Sequence, residues 1–338
     1  MRIRHAALVF STSFLLFAAG CSEDATSEAP QKPMTETQTI ATRPLCVGRF
    51  LIDVPAETRV TWTETRTALA GVIKREGTLS EKVFATRMRR EQERVAGPAP
   101  EDASLLKEVR EVEDGHARIL VFRDAPSNDL YFDIKAFSLR KGTLFSLFGQ
   151  AEDARLSSAI RDIEKGMRML KPRDIWTIPT EPGFCFDGGF LPGSDGGFEA
   201  TGVQLEFPAF PNLLIAFSTR ANDGPPPEGA QLLTRTDAVL QGVDGSDRPT
   251  VLRREGTRSL GERTAQEVMW KWVKSEGVML SGNLELYASS HRLDAPEISF
   301  ELALDPPEKK AGANTDEQDA LLLWDTIIQS LRLRPGAV

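Results

Sequence analysis

The chain has 338 residues, 41% hydrophobic and 27% charged, which is ordinary globular composition, outside the disordered and collagen-like classes, and enough for about two domains. With 49 Asp and Glu against 41 Lys and Arg, the formal net charge of −8 argues against a dedicated nucleic-acid binder, which must neutralise phosphates. Three histidines and three cysteines, one of each within the first 21 residues, leave little stock for a rich metal cluster.

At the start, Arg2 and Arg4 precede an apolar run over 6–19, which ends in Ala18-Ala19-Gly20-Cys21. A short basic head, an apolar stretch too short to span a bilayer and a small-residue end make a secretory signal of residues 1–20. The ending resembles a bacterial lipobox, so lipidation is expected on Cys21. Ser22 after it resembles lipoproteins sorted to the outer membrane, which implies a periplasmic protein held on a lipid anchor. Residues 21–42, rich in Ser, Thr, Glu, Ala and Pro, are expected as a flexible tether.

Two similar α+β domains are expected, an N-terminal one over 43–175 and a C-terminal one over 180–338. Each is a mainly antiparallel sheet packed with helices, on one face in the most economical arrangement. The first opens on the strand-like Cys46-Val47-Gly48-Arg49-Phe50-Leu51-Ile52-Asp53-Val54-Pro55. An edge-prone stretch at 58–74 follows. A charged helix over 80–95 comes next, with sparse apolar positions at Val83, Phe84, Met88 and Val95 that place it on a surface. The stretches 105–112, 116–123 and 130–139 alternate as antiparallel strands, and 144–148 is another. Leu156, Ile160, Ile163, Met167 and Leu170 then mark an amphipathic helix. Residues 174–182, with two prolines and Trp176, form the boundary.

The second domain opens on Cys185-Phe186-Asp187-Gly188-Gly189-Phe190-Leu191-Pro192, with strands at 202–207, 213–219, 251–255, 267–274, 283–288 and 298–302. Its closing helix carries Leu321, Leu322, Ile327, Ile328 and Leu331. Residues 129–137 correspond to 285–293, which aligns the two tyrosines of the chain, Tyr131 and Tyr287, and the closing segments 169–173 and 331–335 also match. An internal duplication with a period of roughly 160 residues follows. Cys46 and Cys185 make an even pair in an oxidising compartment, so a disulfide is allowed; two free buried thiols are the alternative.

Catalysis finds no support in the residues. Past the signal, His116 and His291 are the histidines left to act as a base, and Gly193-Ser194-Asp195-Gly196-Gly197 has the wrong spacing for a nucleophile elbow. No metal-ligand spacing and no phosphate loop stands out, so no catalytic residue, metal or cofactor is expected. Loops are more suggestive: Asp195 and Phe198 lie in 193–198, Phe210 in 208–211, Pro226 in the proline run 225–227, and Trp176 at the boundary. These are the candidate partner contacts. An aromatic in such a place either anchors a partner or caps its own core, and prolines lower the entropy lost on docking.

The lipobox, the Cys46-led segment, Pro182-Gly183-Phe184-Cys185-Phe186-Asp187-Gly188-Gly189 and Ile328-Gln329-Ser330-Leu331-Arg332-Leu333-Arg334-Pro335 together resemble the type VI secretion lipase immunity proteins, the Tli group, family four, over residues 43–335. The resemblance implies two similar α+β domains that grip a cognate phospholipase effector of the α/β-hydrolase class and occlude its lid and active-site entrance. That role needs no catalytic residue, and the chain is expected to be monomeric before binding and to touch the membrane through the lipid anchor on Cys21. The rival reading is a periplasmic lipoprotein that binds a small ligand or scaffolds the envelope.

Overall fold

A computed structural model describes residues 41–338, apart from 98–104, 129, 194–196, 222–223, 243–247, 250, 276, 290–291 and 307–314, and the backbone alone of 251–255. The expected signal, Cys21 and all of the tether except Ala41 and Thr42 lie outside the described residues.

The first half begins with the hairpin β1 (Thr42–Val47) and β2 (Phe50–Pro55), then β3 (Arg59–Trp62), β4 (Thr65–Thr67) and β5 (Gly71–Thr78). Helix α1 (Glu81–Ala96) leads to a meander of β6 (Leu106–Val112), β7 (Ala117–Phe122), β8 (Tyr131–Arg140) and β9 (Thr143–Glu152), closed by α2 (Asp153–Met169) and the short β10 (Lys171–Pro172). The second half repeats the order. A hairpin of β11 (Gly183–Phe186) and β12 (Gly189–Pro192) is followed by β13 (Glu199–Phe207) and β14 (Phe210–Arg220), which correspond to β4 and β5. Then come α3 (Leu232–Gly242), the meander β15 (Val251–Leu260), β16 (Arg263–Lys274), β17 (Gly277–Leu286) and β18 (Glu297–Leu304), then α4 (Glu317–Gln329) and β19 (Arg332–Leu333).

One antiparallel sheet crosses both halves in the order β15-β16-β17-β18-β14-β13-β4-β5-β9-β8-β7-β6, with β3 also paired to β13. Under the correspondence of halves this order reads the same from either end, so a pseudo-twofold axis passes between β13 and β4. The duplication is therefore one of topology, and the expected alignment of Tyr131 with Tyr287 does not follow it. Tyr131 opens β8, whereas Tyr287 lies just past the far end of β17, the strand equivalent to β8.

The cysteine-led hairpins are exchanged. β2 pairs with β19, the last strand of the other half, and β12 pairs with β10. Leu45, Val47, Phe50, Ile52 and Val54 sit in the core built by β13, β14, β16 to β18 and α4, while Phe184, Phe186 and Leu191 sit in the core of β7 to β9 and α2. Each half thus completes the apolar core of its sister. Burying such a side chain contributes about 1.5–3 kcal/mol, so neither half alone retains its full core. At the axis Cys46 and Cys185 are joined by a disulfide. Beside it Gly48 and Cys185 exchange two backbone hydrogen bonds of 2.8 Å.

Helices cover both faces, not one. Ile119, Val121, Ile134, Ala136, Phe145 and Leu147 face α2, while the alternate residues Leu120, Phe137, Leu139 and Leu144 face Phe84, Met88 and Val95 of α1, as the period of two in a strand requires. Helix α1 starts where Ser80 Oγ accepts from Val83 N–H, and ends at Gly97, whose φ of +73° suits a residue without Cβ. α4 starts under Asp316, which accepts from Asp319 N–H. It buries Trp324, whose Nε1 donates to the buried Glu267 at 2.7 Å.

Candidate interaction surface

The inner face of the sheet is closed by α2, α4 and the exchanged hairpins, while the outer face carries α1 at one wing and α3 at the other. Between them no described helix lies over β18, β14, β13, β3 and β4, and β5 is touched from α1 through Arg87 and Glu76. From β17 to β9 there are six strand steps of about 4.8 Å, an open floor about 29 Å wide.

Cross-strand register identifies what the floor presents: Arg59 with Glu206, Thr61 with Gln204, Leu214 with Glu206 and Ala303, Ala216 with Gln204 and Glu301, and Ser218 with Ser299. Arg59, Thr61, Gln204, Glu206, Ser218 and Glu301 are exposed, and Leu214, Ala216, Ser299 and Ala303 are half-buried. The floor thus mixes charged and polar side chains with the half-buried Leu214, Ala216 and Ala303.

The wings differ. α1 fills its place with Phe84, Met88 and Val95, whereas among the described residues α3 buries only Leu232 and Thr236. Under α3 this leaves a cavity of about 350 Å³ lined by Arg235, Val239, Trp270, Trp272, Ser281 and Asn283. The two tryptophan rings lie 6.3 Å apart, and Val239 is 56% exposed. Tyr287 fixes the start of α3: its hydroxyl accepts from Leu232 N–H at 2.6 Å and bonds Glu285 at 3.0 Å. Burial first, then the Glu285 charge, pushes the phenol up to about 12. At the β13–β14 turn a second cavity, about 480 Å³, is lined by Arg59, Glu206, Pro208, Pro211, Leu214 and Asp305.

At the axis Arg49 is buried and bonds Glu199 through two nitrogens, at 2.8 and 2.7 Å, and the carbonyls of Gly193 and Ala337. Arg173 and Arg334 clasp main-chain carbonyls on either side, and burial lowers both, Arg173 to about 10.

The candidate contacts do not form one cluster. Phe198 is exposed at the axis end of β13, with Arg220 beside its ring. Phe210 lies at the opposite end of the β13–β14 hairpin, half-buried against the core and 6.4 Å from Phe207. Trp176 also packs on that core, on the inner side, beneath the guanidinium of Arg43 at 3.2 Å. Pro226 is half-buried before the 3-10 turn Glu228–Ala230, and Asp195 lies outside the described residues. His116 stands 3.7 Å from Glu81, and His291 lies outside the described residues. Among the described residues no three His, Cys, Asp or Glu gather as metal ligands, and no helix is long and apolar enough to cross a membrane. Sequence reasoning missed the floor and the cavity under α3; Trp270 and Trp272, two residues apart on a strand and hence on one face, were the available signal.

Two family models match successive parts of the chain: the Tle cognate immunity protein 4 N-terminal domain over residues 43–173 and the corresponding C-terminal domain over 177–336. No curated protein matches. Among solved structures, apo immunity protein TplEi of the T6SS from Pseudomonas aeruginosa is similar at 22% identity, covering 87% of this chain and 97% of that one with a TM-score of 0.75. A chain of the Tle4–Tli4 complex is similar at 22% identity, over 87% and 98% of the two chains, with a TM-score of 0.75. TplEi complexed with an "L" peptide matches at 21%, over 88% and 100%, with a TM-score of 0.71. At these identities the likeness is one of fold.

Proposed function

The chain belongs to the Tle cognate immunity protein 4 family, and from that premise we propose that it protects its cell by binding and inhibiting a cognate phospholipase effector of the type VI secretion system. The succession of both family domains along the chain is the observation that carries this reading. The fold adds to it, since the likeness includes a chain of a Tle4–Tli4 complex.

The open floor is the surface on which the effector would sit. A lipase of this type must open a lid to admit lipid, and a partner that binds the closed form more tightly draws the population away from the open one; about 5.5 kcal/mol of preference turns a 99:1 population into 1:99. Inhibition then needs no chemistry from this chain, only occlusion of the lid and active-site entrance. The signal and lipobox motif support a periplasmic protein tethered through Cys21. Co-purification with the cognate lipase, followed by a phospholipase assay, tests the reading. A complex with suppressed hydrolysis supports it; hydrolysis unchanged at saturating protein overturns it.

A further inference from the structure

Phe198 is exposed to 38% on a backbone that neighbouring strands hold. Gly197 before it has φ +125°, where a Cβ would come within 3.0 Å of the Ala68 Cβ, so the approach is a path that favours glycine. The Phe198 carbonyl accepts from Ala68 N–H at 2.7 Å, and the Glu199 carbonyl accepts from Ala221 N–H at 2.7 Å. The Glu199 side chain is gripped by the buried Arg49. Phe198 borders, with Leu69, Met169, Leu191 and Glu199, a small cavity of about 20 Å³. That is room for roughly one water. Arg220, exposed on β14, sets its guanidinium 5.8 Å from the ring centroid.

We propose that Phe198 and Arg220 form a pre-set anchor for the effector, the ring entering an apolar pocket on the partner and the guanidinium meeting a carboxylate on that pocket's rim. This rests on the effector-binding reading above. Aromatic and arginine side chains dominate interface energies. A ring carried on a backbone already held in place spares the backbone's share of the ordering entropy on binding. The guanidinium supplies orientation and a salt-dependent part of the association rate.

The experiment measures binding of the full-length protein to its cognate lipase, with unfolding midpoints recorded alongside. Phe198→Ala is expected to weaken binding by about 30-fold or more, the hot-spot range, with its unfolding midpoint close to that of the parent. Arg220→Gln, which leaves the ring in place, is expected to weaken binding by about tenfold and to flatten the salt dependence of association. If Phe198→Ala also lowers the midpoint, Arg220→Gln decides: a parental midpoint with weakened binding supports the anchor. Parental binding that survives both changes within about threefold overturns the anchor alone. Absence of any binding by the parent protein overturns the anchor together with the reading on which it rests.

Discussion

Arg173 and Arg334 occupy equivalent places on the two sides of the pseudo-twofold axis, each directly after the short last strand of its half. The backbone N–H of Arg173 donates to Gly188, and that of Arg334 donates to Arg49, the equivalent residue in the other hairpin. Their guanidinium groups share the connection between the halves: Arg173 holds the carbonyls of Ile175 and Thr177, and Arg334 those of Pro179, Glu181 and Gly183. The connection is thereby fixed from both sides.

Arg334→Met is therefore expected to lower stability by about 3 kcal/mol or more, since it strips donors from three carbonyls around a fully buried side chain. Urea unfolding measures it. A loss under about 1 kcal/mol would show that water replaces the clasp.

The Cys46–Cys185 disulfide closes a separation of 139 residues at the junction of the exchanged hairpins. Replacing both cysteines by alanine is expected to destabilise the chain by about 2–5 kcal/mol, much of it through the freed unfolded chain. Thermal unfolding of the parent with and without reductant should show the same difference; coincident transitions would mean that the exchanged cores hold the junction unaided.

On α1, Glu91 is held down to about 2, chiefly by its hydrogen bond with Arg94 and further by Lys135. A carboxylate lowered in the folded state contributes stability that is present above its ordinary value near 4.5 and is lost as pH falls toward 2. The Glu91→Gln variant should be less stable than the parent at neutral pH and converge with it between about pH 4.5 and 2. A gap independent of pH would assign the effect to packing.

Cys21→Ala, if the lipobox is used, should abolish acyl labelling and move the protein from the membrane to the soluble periplasmic fraction. Continued membrane retention without acylation would contradict the anchor.

Local signals carried much of the fold. Ser80 with Phe84, Met88 and Val95 defined α1, the stripe from Leu156 to Met167 defined α2, and alternation marked the meander strands. Helix α3 was not legible, because with only Leu232 and Thr236 buried it has no stripe at helical spacing. The exchange was not legible either: Asp53 N–H reaches Ser330 Oγ and Arg332 pairs with Asp53 across the length of the chain, and no local pattern names such a partner. The paired cysteine-led segments hinted at a junction without revealing which core each hairpin would join. Phe198 was visible as an aromatic in a glycine-rich loop, but the pairing of its neighbour Glu199 with Arg49 is made only in the fold.

Titrating the cognate lipase with this protein while following phospholipid hydrolysis tests the central claim most directly. Immunity by occlusion predicts that activity falls linearly to near zero at one equivalent and that the two proteins elute as one complex. Full hydrolysis at a large excess, with the proteins eluting apart, would contradict it.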